Sequence, residues 1–244
     1  MEISVRARSP YSPDTVPTGV GAESLRKYSL AAGIFYLLTF VSIPTLAMYR
    51  SVRAPGFVAG PGPDAPVVVG VLLEMIVALA GIGTAVALYP VVRRQGQARA
   101  VGFVASRTLE AATIYVGIVS LMSIVTLRRA GAGAGAEIVA QGLAAQYQWS
   151  FFFAQSFIPA VNGVLLGTLM YQSRLVPRWL PLLGLVGAAL LVASWLGVLV
   201  GLIAAISPVA ALSALPIAVW EFSLGVYLSF WGFRASPLIT GARA

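Results

Sequence analysis

Three glutamates and one arginine stand inside long apolar stretches of this 244-residue chain, and they are its main chemical resources. Arg107 and Glu110 are three positions apart, so a helix places them on one face. Glu74 and Glu221 lie in two other apolar segments. Ionisable groups in lipid are expensive and turn to the interior of a helix bundle. One arginine stands against three glutamates, and Arg107 compensates one of them well. At least one of Glu74 and Glu221 is therefore expected to hold its proton at neutral pH, because desolvation and a like neighbour disfavour another charge. A neutral buried acid is a proton donor.

The remaining chemistry is bounded by absences. The chain has no Cys, which excludes thiolate nucleophiles, disulfides and iron–sulfur ligation. It has no His, which excludes His-ligated haem, HExxH zinc sites and Ser-His-Asp triads. Its one Lys, Lys27, stands at the edge of the first apolar segment, a poor place for a Schiff base. No cofactor or metal is expected. The candidate catalytic residues are Glu74, Glu110 and Glu221. Arg107, Trp220, Tyr115, Asn162, Trp195 and Tyr227 are candidate substrate-binding residues on the same or neighbouring segments. The plainer alternative makes Arg107 and Glu110 a neutral helix-packing pair and the aromatic residues ordinary core.

The elements that must position these groups are membrane spans. Hydrophobic residues make up 59% of the chain and charged residues only 10%, against about 25% charged in soluble proteins. The expected architecture is an all-α integral membrane protein with six transmembrane helices in one bundle. The spans are 28–49, 67–89, 101–127, 149–171, 179–206 and 214–233, each long enough for about 30 Å of hydrocarbon. Residues 1–24, rich in Pro, Ser and Thr, read as a disordered cytoplasmic tail, and 235–244 as a short polar one. Residues 25–234 form the transmembrane domain. Pro44 sits near the end of the first span, and Pro90 is expected to stop the second. The stretch 137–148 reads as a short interfacial amphipathic segment before the fourth span. Gly197 and Gly201 form a GxxxG, a signal of close helix packing. No internal repeat stands out.

Counted from the span limits, Glu74 and Glu221 lie roughly 10 Å below the outer edge, and Glu110 roughly 13 Å above the inner one. Six spans bring both termini to one side. Arg26, Lys27, Arg93, Arg94, Arg99, Arg174, Arg178 and Arg234 flank that side, and Arg50, Arg53, Arg128 and Arg129 the other. The positive-inside rule then puts both termini in the cytoplasm. The net charge of +8 is spread over span ends rather than gathered on a face, so no nucleic-acid partner is expected.

Several short blocks carry a family likeness. They are Leu88-Tyr89-Pro90 with Arg93-Arg94, Arg107-Thr108-Leu109-Glu110-Ala111, the run from Tyr171 to Trp179, and Glu221-Phe222-Ser223-Leu224-Gly225 with Gly232-Phe233. In order and spacing they resemble a bacterial family of small six-span membrane proteins classed as domain of unknown function 4386. The resemblance covers roughly residues 25–234. It implies a six-helix fold in the inner (cytoplasmic) membrane, and no activity.

Three functions fit the residues. The first is a metal-independent intramembrane enzyme acting on an apolar, isoprenoid-type substrate, with a glutamate as general acid and aromatic faces steadying a carbocation. Its layout is loosely similar to small membrane-bound terpene cyclases. The second is a proton-linked carrier or lipophile binder. The third is an accessory subunit whose charged face meets another membrane protein. The partners expected are the lipid bilayer, an apolar small molecule and, for the third reading, that membrane protein.

Overall fold

The first span is not one straight rod. The computed structural model describes residues 22–60, 62–131, 133 and 135–236. In it α1 (Ala22–Leu38) gives way to a 3-10 turn at Thr39–Ser42, and a short α2 (Thr45–Met48) finishes the crossing. Pro44 brings no N–H to this region, and Thr39 and Thr45 hydroxyls donate to the carbonyls of Tyr36 and Ser42 at 2.7 Å each. The second and third spans are α3 (Ala65–Val92) and α4 (Gln97–Arg129). The fourth is compound. α5 (Ala136–Phe152) runs through a π turn at Phe153–Phe157 into α6 (Ile158–Ser173). α7 (Trp179–Leu199) and α8 (Pro208–Phe230) complete six helices of membrane-spanning length and hydropathy.

Each span touches its neighbours in sequence, and α8 returns to α1, so the six form a closed ring. The outer faces carry Leu72, Leu79, Leu109, Val119 and Leu182, all at least half exposed, as a lipid-facing surface requires. Glycines set the closest approaches. A Cβ on Gly33 would lie 2.3 Å from Ser229 Oγ, which draws α1 onto α8. A Cβ on Gly184 would lie 2.4 Å from the ring of Trp220, which locks α7 onto α8.

The two ends of the bundle are tied differently. At the end bearing Ala22 and Ser236, Arg26 donates to the carbonyls of Leu228 and Ser229 at 3.2 and 2.7 Å. Ser29 donates to Leu228 at 2.7 Å, and the Arg234 N–H to Leu175 at 2.8 Å. At the opposite end Asp64 accepts from Arg128 at 3.2 Å and from Arg129 at 2.8 Å. Arg128 also donates to the carbonyls of Gly60 and Gly62 and lies 4.5 Å from the centre of the Phe57 ring. These contacts fasten the Gly- and Pro-rich loop before α3 to the end of α4.

The structure departs from the sequence expectations at four places. Pro90 does not stop α3, which continues to Val92; the missing N–H costs one bond in a last turn that is ending anyway. The stretch 137–148 is not a separate interfacial segment, because α5 continues through it into the fourth span. α7 ends at Leu199, not Ile206. Gly201, at φ +78°, donates to Val198, and Leu202 donates to Gly197 at 2.8 Å. Gly197 and Gly201 thus build a Schellman end rather than a helix-packing face. The expected N-terminal tail lies outside the described residues up to 21, and its last three residues belong to α1. Residues 237–244 of the closing tail also lie outside them.

Gly184→Ala should destabilise the bundle by about 1–3 kcal/mol, because the buried indole of Trp220 has no room to withdraw. Gly142→Ala, with nothing within 4 Å of the new methyl, should be neutral or slightly stabilising. Thermal unfolding in detergent, followed by tryptophan fluorescence, separates the two.

Candidate functional site: a buried charge cluster beside a cavity

Arg107 is 3% exposed and holds two carboxylates at once. Its Nη1 donates to Glu110 Oε2 at 3.0 Å and its Nη2 to Glu221 Oε1 at 2.5 Å. The first contact is the one-turn spacing along α4. The second crosses the ring from α4 to α8, which stand opposite one another. Asn162 of α6 donates to the same Glu110 oxygen at 2.7 Å, leaving its own Oδ1 without a partner among the described residues. Small and aromatic residues make room for this. A Cβ on Gly81 of α3 would meet only the Arg107 stem at 3.9 Å, and the guanidinium lies 5.4 Å from the Tyr36 ring centre and 5.7 Å from that of Phe103.

A cavity of about 240 Å³ opens beside the cluster. The polar wall is Arg107, Glu110 and Glu221, with Thr39, Ser42 and Gln155 nearby. The rest is apolar, from Phe40 and Ile43 in the first span to Val77, Ile114, Pro159 and Ile217. Both irregular turns border it. The π turn follows from Pro159, which has no N–H for the Gln155 carbonyl four residues before it, and whose ring would strike that carbonyl. The exposed part of the lining is Ile43, at 60%, just past the 3-10 turn, and Gln155 on the π turn, so the mouth opens at the level of these two turns.

Glu74 lies apart from Arg107. Its Oε1 accepts from the Tyr147 hydroxyl at 2.9 Å, and the Tyr49 ring stands edge-on to Tyr147 at 5.4 Å. Arg53 lies 5.9 Å from the Tyr147 ring centre and donates to Gln148 Oε1 at 3.2 Å. A small recess at Glu74 shares Ser42, Val77, Ile114 and Gln155 with the main cavity.

The model of a domain of unknown function, DUF4386, matches residues 31–232. The chain belongs to the DUF4386 family. Comparisons with curated proteins and with solved structures give no match. Of the residues singled out by sequence, this DUF4386 chain brings together Arg107, Glu110, Glu221 and Asn162. Glu221 sits thirteen residues into α8 rather than seven, about 20 Å from its start, because α8 begins at Pro208. That brings it level with Arg107. The aromatic candidates do not border the cavity. Trp220 is fully buried against Gly184. Trp195 packs on Phe153 and Phe157 at 5.5 and 4.8 Å. Tyr227 stacks on Trp231 at 5.7 Å, and Tyr115 is half-buried among Val71, Val77 and their neighbours. Sequence reasoning did not single out Tyr147, Gln155 or Phe40. For Gln155 a signal existed in Pro159 four residues on; Tyr147 was hidden in the stretch read as interfacial.

Arg107→Met leaves two buried carboxylates without their cation and should cost about 3–5 kcal/mol of stability. Adding Glu110→Gln and Glu221→Gln should restore most of it. Thermal unfolding of the single and triple variants in detergent checks this; equal stability of Arg107→Met and wild type would refute the pairing.

Proposed function

We propose that this multi-pass membrane protein binds a small organic cation with an apolar body, in competition with a proton. The observation that carries the reading is the charge count at the cavity: two carboxylates, Glu110 and Glu221, meet one guanidinium. With both ionised the cluster carries an excess negative charge in a low-dielectric site, and such a charge calls for a partner. A proton or an organic cation meets that need equally, so arrival of one releases the other. Glu221, with its side chain 15% exposed, is the reachable member. Phe40 puts one aromatic ring in the wall, packed edge-on with Phe222 at 5.4 Å, and the aliphatic wall accommodates the apolar body. With the terminal end in the cytoplasm, as the loop arginines favour, the mouth turns towards the outer half of the bilayer.

The cyclase reading draws less support from this site. Carbocation chemistry calls for several aromatic faces around the reacting carbon, and Phe40 is the single aromatic residue in the cavity wall.

Phenyltrimethylammonium is a suitable probe, being permanently charged and small. Calorimetry on purified protein in detergent should show binding that weakens as pH falls, on the order of tenfold per unit where one proton is displaced. Glu221→Gln, which removes the excess negative charge, should bind at least tenfold more weakly. A wild type that ignores the probe at pH 8, or a Glu221→Gln variant that binds it unchanged, would sink the proposal.

A further inference from the structure

The second half of the chain repeats the element order of the first at a nearly constant offset, which is 113 for the starts of α2 and α6 and 111 for those of α4 and α8. α1 and α5 each have 17 residues, and they begin at Ala22 and Ala136. The irregular turns begin at Thr39 and Phe153, and α3 and α7 at Ala65 and Trp179. Each pair is 114 positions apart, the same separation as Arg107 and Glu221, which meet across the ring. Gly70 and Gly184 share the offset, and each lies under an aromatic ring: a Cβ on either would sit 2.4 Å from Tyr49 or Trp220. Ser42-Ile43-Pro44 returns as Ser156-Phe157-Ile158-Pro159 with one residue added. A π turn is how a helix takes up one extra residue, and the π turn is there.

Three spans per half make the second half run opposite to the first. That is an inverted repeat, with the broken first and fourth spans in corresponding positions. Neighbour relations match as well. First on second corresponds to fourth on fifth, second on third to fifth on sixth, and third on fourth to sixth on first. The last pair is where the halves differ. α4 is covered by α5, the π turn and α6 in succession, whereas α8 packs closely on α1 and meets the 3-10 turn only thinly, through Phe40 edge-on to Phe222 at 5.4 Å. The repeat therefore has one seam thinly held and its counterpart shut. At the shut seam Gly102, in the first half of α4, faces Leu165 of α6; a Cβ there would lie 3.6 Å from the leucine methyls.

From this asymmetry between inverted halves we infer that the protein is an alternating-access carrier, which exchanges the cation of the proposed site for a proton between the two sides of the membrane. The inference rests on that site reading. In the second state the seam between α8 and the 3-10 turn closes, and the Gly102–Leu165 seam opens toward the terminal end. One cation enters as one proton leaves the carboxylate pair, and the reverse exchange on the other side completes an electroneutral cycle.

The absence of cysteine makes a direct test simple. Gly102→Cys with Leu165→Cys, bridged by a short bis-methanethiosulfonate reagent, pins the shut seam. In proteoliposomes the unbridged pair should exchange radiolabelled phenyltrimethylammonium as wild type does. Bridging should cut counterflow at least tenfold, and reductant should restore it, while binding in detergent stays within twofold. Undiminished counterflow after bridging, or a wild type that binds the probe without exchanging it, overturns the carrier and leaves the binding site standing. A wild type that binds no probe removes both.

Discussion

One ion pair closes the bundle across its middle. α4 and α8 stand on opposite sides of the ring, and Arg107 Nη2 reaches Glu221 Oε1 at 2.5 Å between them. Everything nearby is arranged to let a guanidinium exist there. Gly81 gives its stem space, Tyr36 and Phe103 present rings to its plane, and Glu110 and Asn162 complete the polar shell. Its two terminal nitrogens are bonded while Nε has no partner among the described residues, so the charge depends on these few contacts as one unit.

The cavity exists because two helices decline to stay regular beside that unit. Regular α-helices in the first and fourth spans would bring their backbones evenly along α8 and α4. The 3-10 turn at Thr39–Ser42 and the π turn at Phe153–Phe157 each redirect a span where the charge cluster sits. Irregular backbone at membrane depth is tolerated where it lines a cavity or is buried in protein. Here Ser42 and Gln155, carried by these turns, also connect the main cavity to the recess at Glu74.

Much of this was legible in the sequence, and the gaps have physical reasons. Hydropathy gave six spans in one bundle, because a bilayer leaves few other solutions for this composition. The Arg107–Glu110 pair followed from local helix geometry. Glu221 is legible as a buried acid but its partner is not, since a contact across 114 positions depends on where α8 begins, and hydropathy puts that start at 214 rather than Pro208. Trp220 was drawn toward the site by adjacency to Glu221, although successive helical residues point about 100° apart. The repeat escaped notice because its halves share positions of glycine, proline and helix ends rather than residue identities.

The lengths of the spans carry one more consequence. α4 has 33 residues and α7 has 21, so at 1.5 Å per residue they measure about 50 and 32 Å. α7 fits a hydrocarbon layer of ordinary thickness, while α4 must lean or protrude. If α4 leans, Arg107 moves with it relative to Glu221 on the shorter α8. The unequal lengths thus make the thickness of the surrounding bilayer one of the constraints on the geometry of the central charges.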